Sequence, residues 1–164
     1  MKVALLVIDI QNRFFNVSQV CTDSLKSAVE YVNEAISLFR KKGFPIVVVQ
    51  HQNEKTGLVP GKADFDVHES VQVEPTDLRI VKTYGNAFNK TGLSEKLSEL
   101  SVDAVVITGF CAYQCVLSTY LGAKDLDLNP IILKGSLASD NIERVRFVEE
   151  ITETISLGAL ETLL

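Results

Sequence analysis

The sequence predicts an α/β protein of three layers, α/β/α, built on a doubly wound, Rossmann-like parallel sheet. Three observations predict it. Short, almost unbroken apolar runs at residues 3–8, 46–49, 105–107 and 131–133 have the composition of strands buried on both faces. They alternate with stretches whose apolar residues recur at helical spacing, an order that lays helices on both faces of a parallel sheet. The predicted strand ends also carry Asp9, Gln50-His51, Lys82 and the turn before Cys115. In an open α/β sheet that edge is where ligands bind.

Taken in order, the first run ends in Asp9 and is followed by Gln11, Asn12 and Phe14-Phe15. Leu25, Ala28, Val29, Val32, Ile36 and Phe39 then mark a helix, with Thr22 or Asp23 as its cap and Gly43 as its stop. Pro45 opens the second strand, which runs into Gln50-His51-Gln52. Residues 53–74 show no steady period and contain Gly57, Pro60 and Gly61. A loop of that length within one domain is usually functional, so a lid or pocket wall is expected. Residues 78–81 form a third strand ending in Lys82. Asn86, Asn89 and Gly92 punctuate a turn region before a short helix carrying Leu93, Leu97 and Leu100.

In the stretch 105–123, Thr108-Gly109 breaks an apolar run, and Val116, Leu117, Tyr120 and Leu121 resume at helical spacing. Cys115 therefore falls where a strand turns into a helix. Asn129-Pro130 leads into a further strand, and Asp140-Asn141-Ile142-Glu143 reads as a capping box. The helix that follows has an apolar stripe of Ile142, Val145, Val148, Ile151 and Ile155. Residues 157–164 fit either an edge strand or a short helix. There is no internal repeat, low-complexity run or linker.

At 164 residues, 46% hydrophobic and 23% charged, the chain is expected to form one domain over residues 1–164. A net charge of −5 argues against nucleic acid or an anionic membrane as a main partner and leaves a small-molecule substrate. The N-terminal run meets Asp9 at once and has no small-residue cleavage site, so it reads as a core strand and not a signal peptide. No apolar stretch reaches the roughly 18 residues of a membrane span. Three cysteines, an odd number, suit reduced thiols in the cytoplasm better than a disulfide framework.

The residue types at the strand ends suit nucleophilic chemistry. A helix start offers unpaired N–H groups and a positive dipole end, which favour a thiolate and an oxyanion alike. Cys115 is therefore a candidate nucleophile with a depressed pKa; the alternative is a small buried core residue. Asp9 can take the thiol proton as base and return it to a leaving amine as acid. Lys82 can hold Asp9 and favour the charged form of the site. Backbone N–H groups of residues 109–115 can stabilise an oxyanion. The bland alternatives are a turn cap for Asp9 and a solvated charge for Lys82. Gln11, Phe14, His51, Tyr84 and Phe88 are the candidate substrate contacts, with core filling as the alternative for the aromatic residues and a hydrogen-bonded structural role as the alternative for His51. Cys111 reads as a small filler and Cys21 as structural.

Three segments carry a resemblance that runs along essentially the whole chain. They are LLVIDIQNRFF at residues 5–15, IVKTYGNAF at 80–88 and ITGFCAYQCVLSTYLGA at 107–123. In this order and spacing the chain resembles the isochorismatase-like cysteine hydrolases, which include nicotinamidases and N-carbamoyl amidohydrolases. The resemblance implies a catalytic triad of Asp9, Lys82 and Cys115, and a cis peptide at Phe110-Cys111. It implies an oxyanion hole formed by the N–H groups of Cys111 and Cys115. It also implies a sheet of about six strands and a homodimer or larger homo-oligomer.

Two positions depart from the family pattern, Arg13 where Asp is common and Ala112 where Thr is common, and both are expected to border the pocket without touching the triad. Nicotinamidases bind a metal through Asp-x-His at the end of the second strand. Here that segment is Gln50-His51-Gln52, and the only other histidine is His68. No metal or other cofactor is therefore expected, and nicotinamide is disfavoured as substrate. Isochorismatases proper cleave a vinyl ether without a cysteine. Cys115 thus points to acyl transfer from a small amide or carbamoyl compound. The competing readings are a catalytically idle binding or assembly subunit, a vinyl-ether hydrolase, and a thiol redox protein using Cys111 and Cys115.

Overall fold

The structure is a computed structural model and describes residues 2–164. Its six strands are β1 (Val3–Ile8), β2 (Ile46–His51), β3 (Leu78–Lys82), β4 (Ala104–Phe110), β5 (Asn129–Ala138) and β6 (Thr154–Ile155). They form one sheet in the order β3-β2-β1-β4-β5-β6, with every pairing parallel. The fold class read from the sequence is the one observed, including the strand number. All six residues of β1 are buried, as a central strand covered on both faces requires.

The strand pleat divides the core in two. Val3, Leu5 and Val7 pack with Leu25, Val32, Ile36 and Phe39 of α2 (Gln19–Lys42), which follows the short α1 (Asn12–Phe15). Ala4, Leu6 and Ile8 pack on the other face with Leu93 and Leu97 of α3 (Leu93–Glu99). Tyr120 and Ala123 of α4 (Leu117–Asp125), with Val145 and Val148 of α5 (Ile142–Ile151), complete that layer. A strand with period two thus supplies both faces with side chains.

The chain order reverses between β1 and β4, so their carboxyl ends diverge there and leave a crevice. The two strands come close because residue 109 is glycine. Gly109 has φ +118, and a Cβ there would collide with the carbonyl oxygen of Ile8. The apolar run breaks at Thr108-Gly109, but the strand does not: β4 continues through them to Phe110.

Several boundaries differ from expectation. Helix α2 starts before Thr22 and Asp23, with Ser18 as its cap, whose hydroxyl accepts from the Cys21 N–H at 3.2 Å. Thr22 instead donates its hydroxyl proton to the Phe15 and Ser18 carbonyls, while Gly43 ends the helix at φ 70 as expected. Helix α5 has no capping box. Asn141 caps it by accepting from the Glu143 N–H at 2.8 Å, while Asp140 accepts from Ser139 and Arg144. Its stripe is narrower than read, since Ile142 and Ile151 are exposed and Ile155 belongs to β6. Of the two alternatives for residues 157–164 the helix is observed, as α6 (Leu157–Leu163), while the edge strand β6 precedes it at Thr154–Ile155. Among the described residues no helix is long and apolar enough to cross a membrane.

Candidate active site

The carboxyl ends of β1, β2 and β3 and the turn after β4 meet at the crevice. Asp9, the first residue beyond β1, adopts φ 51. That left-handed conformation costs an L-residue roughly 1–2 kcal/mol and ends the strand abruptly. Lys82 is the last residue of β3 and is 1% exposed, although lysine is seldom buried without a partner. Its Nζ donates to Asp9 Oδ2 at 2.8 Å and to Cys115 Sγ at 3.2 Å. It also lies 3.2 Å from His51 Nδ1. The structure therefore brings together Asp9, Lys82, Cys115 and His51.

An ammonium group has three protons and no lone pair, so each of these three neighbours acts as an acceptor. Nδ1 of His51 must then present its lone pair, which puts the ring proton on Nε2. Burial and the Lys82 charge both push the His51 pKa down, so the ring stays neutral. Lys82 has no proton left for a ligand. On the other side of the pair, Asp9 Oδ1 is buried and has no hydrogen-bond partner. A buried carboxylate oxygen left open in this way is poised to accept a proton from whatever approaches it.

Cys115 lies in a wide turn, residues 112–116, in which the Val116 N–H reaches back to the Cys111 carbonyl at 3.2 Å. Turns of this kind are frequent at functional sites. The Phe110-Cys111 peptide bond just before it is cis. Electrostatics there run opposite to the sequence expectation. Burial, and then the Asp9 charge, push the Cys115 thiol up to about 12 against the pull of Lys82. Burial likewise raises Asp9, against Lys82. The resting pair is thus a neutral thiol beside a carboxylate with more than ordinary proton affinity, and not a preformed thiolate.

Asp9, His51 and Cys115 also offer donor atoms that all lie within 4.8 Å of one another, the spacing of a metal site. The Lys82 ammonium touches all three residues, so the protein's own cation takes the place a metal ion would fill.

A cavity of about 690 Å³ opens over these residues. Phe14, Val17, Leu58 and Phe110 give it apolar walls, and the Phe14 and Phe110 rings pack at 4.9 Å. Arg13, Asn53, Thr56, Gln114 and Ser118 bring polar groups to it. Residues 53–58 of the long loop thus form part of the wall, in keeping with the expectation for that loop. Cys111 also lines the cavity; burial raises its pKa, and its sulfur lies 3.7 Å from Ser139 Oγ.

Three expected substrate contacts lie elsewhere. Gln11 is fully buried, and its side-chain amide donates to the His51 and Phe65 carbonyls at 3.1 and 2.8 Å. Its oxygen accepts from the His51 N–H at 2.8 Å, so every polar atom of the side chain is engaged in holding β2 against the loop. Tyr84 is 43% exposed, and its hydroxyl accepts from Lys90 at 3.2 Å. Phe88 packs into the core on the α3 and α4 side. Between them only Gly85 reaches the cavity, beside Ser118. Arg13 borders the cavity as expected, whereas Ala112 is fully buried and does not line it. Sequence reasoning expected a wall from the 53–74 loop without naming Asn53 or Thr56, and it did not assign Gln114 to the cavity.

Comparison with known proteins adds a family to this geometry. The Isochorismatase domain matches residues 3–148. The uncharacterized isochorismatase family protein YddQ of Bacillus subtilis is 33% identical over 126 residues, covering 75% of this chain and 70% of its own. An isochorismatase-like hydrolase from Alkaliphilus metalliredigens superposes with a TM-score of 0.90 over 99% of both chains, at 22% identity. The N-carbamoylsarcosine amidase of Thermoplasma acidophilum superposes with a TM-score of 0.80 over 95% of both, also at 22% identity. At these identities the two structures speak for the fold alone.

Proposed function

The chain belongs to the isochorismatase family, whose members are hydrolases and include amidases, and on that premise we propose a metal-independent cysteine hydrolase acting on a small amide or carbamoyl compound. Cys115 is the nucleophile, Asp9 the general acid and base, and Lys82 their electrostatic partner. One observation carries the reading. A buried lysine is bonded at once to a carboxylate and a cysteine sulfur, while the second carboxylate oxygen is left open.

The pKa directions set the order of events. A thiol pushed up to about 12 is not ionised before substrate arrives. Its proton passes to Asp9 as sulfur attacks the carbonyl carbon, and Asp9, itself raised, is matched to receive it. Negative charge then moves onto the carbonyl oxygen, where the N–H groups of Cys111 and Cys115 are the proposed donors. Asp9 returns the proton to the leaving nitrogen, the C–N bond breaks, and a Cys115 thioester remains. Water cleaves it with Asp9 again as base, releasing the acid and restoring the thiol. Lys82 keeps Asp9 anionic between the steps and stabilises charge on sulfur during transfer.

The test is acid quenching during turnover of a panel of primary amides, carbamoyl amines and hydroxamates, followed by peptide mass analysis. The acyl mass should appear on the peptide containing Cys115. Turnover by Cys115→Ala within about tenfold of the native rate would overturn the assignment. An Asp9-led cleavage of a vinyl ether would then be the better account.

A further inference from the structure

The hydrolase reading assigns the floor of the cavity and leaves one charged side chain on its wall without a role. Arg13 is the only cationic side chain lining the cavity among the described residues. Its Nε donates to Asp64 at 2.7 Å and its Nη2 to the Thr56 carbonyl at 3.3 Å. These two bonds fix the plane of the guanidinium group. Its Nη1 has no acceptor among the described residues. Asp9 is the only carboxylate in the lining, and it is already paired with Lys82. Asp64 lies outside the lining, and its side chain is 48% exposed, so solvent screens much of its charge. The cavity therefore offers a held, charged donor and no free acid to repel an anion. His51 adds a second donor, since Lys82 holds Nδ1 as acceptor and Nε2–H has no partner among the described residues.

We propose that Arg13 anchors a carboxylate on the non-reacting end of the substrate, so that the site takes half-amides of dicarboxylic acids. Guanidinium-to-carboxylate hydrogen bonds are roughly twice as strong as those between neutral groups, so a carboxylate gains more from this wall than a neutral amide does. The anchored end fixes the distance to Cys115, and so selects the length of the substrate. For the reacting end this inference rests on the hydrolase reading; the anion subsite itself does not.

The test compares half-amides of malonate, succinate and glutarate with the matching neutral diamides, using the native protein, Arg13→Gln and Asp64→Asn. One half-amide should exceed its diamide in kcat/KM by about tenfold or more, chiefly through KM, and Arg13→Gln should bring that ratio to about one. Asp64→Asn breaks the same ion pair but keeps the guanidinium group, so it should retain the preference. Calorimetry with the corresponding free dicarboxylate should show binding to the native protein and to Asp64→Asn, weakened about tenfold or more in Arg13→Gln.

Equal binding by Arg13→Gln and native protein, or no binding by the native protein, would overturn the inference. Loss in Asp64→Asn equal to that in Arg13→Gln would also overturn it, leaving Arg13 as a tie between α1 and the loop. Dicarboxylate binding that depends on Arg13, with no cleavage of any amide, would leave the anion subsite standing and remove the hydrolase reading instead.

Discussion

The cavity has two ion pairs at opposite ends of the burial scale. At its floor, Lys82 and Asp9 are 0% and 1% exposed in their side chains, whereas Arg13 on its wall and Asp64 behind that wall are 33% and 48% exposed. The pairs are almost equally short, at 2.8 and 2.7 Å, so distance does not distinguish them. Environment does. Removing one partner of a buried pair strands a charge out of water, whereas an exposed pair is screened and is worth up to about 1 kcal/mol. The buried pair can set proton affinities; the exposed one can only orient a side chain. Chemistry is thus expected to fail when the floor is altered, and selectivity when the wall is.

The largest effect should come from Cys115→Ala, which is expected to lower turnover by about 10³-fold or more while leaving the fold intact by circular dichroism. Lys82→Met should come next, with turnover reduced by about 10²-fold or more and unfolding free energy reduced by about 3 kcal/mol, because Asp9 is left buried without its cation. Denaturant titration and steady-state rates on one preparation would check both. A stability loss below about 0.5 kcal/mol, as for an ordinary surface lysine, would erase the contrast between floor and wall.

A pH series sharpens the same comparison. Asp9 acts in its carboxylate form, and burial raises its pKa, so activity should fall on acidification at a pH above the ordinary carboxylate range. Without substrate, the rate of Cys115 alkylation by iodoacetamide should keep climbing into the alkaline range, since the thiol is pushed up to about 12. A plateau reached near neutrality would mean a preformed thiolate and reverse the proposed order of events. The smallest effect is expected behind the wall, where Asp64→Asn should change stability by less than about 1 kcal/mol in thermal unfolding.

Much of the floor was legible in the sequence because each member directly follows or ends an apolar run. Asp9 follows β1, Lys82 closes β3, and Cys115 follows the end of β4 by one short turn. Once the runs are read as parallel strands, their ends share an edge. The wall was not legible in the same way. The partners of Arg13 lie 43 and 51 residues away, in a loop without period. Gln11 was misread because nothing local shows that the backbone of His51 and Phe65 takes up its whole amide. The sign of the Cys115 shift was missed for a related reason. Sequence shows the helix start, which favours a thiolate, but not the burial and the neighbouring carboxylate that outweigh it.

Gly109 carries a consequence for how such a molecule can be remodelled. Where it meets the Ile8 carbonyl, β1 and β4 bear on one another backbone to backbone, with no side chain between them as a cushion. The contact works as a fixed hinge pin between Asp9 on one side and Cys115 on the other. The wall residues Asn53, Thr56 and Leu58 follow the carboxyl end of β2, a strand that pairs with β1 but not with β4. Grafting a different 53–58 turn, which closes on itself through the Asn53–Leu58 bond, should therefore exchange what the cavity admits and leave the gauge between base and nucleophile as it was. Any side chain at residue 109, however small, would do the reverse, leaving the doorway intact and putting the machinery behind it out of true.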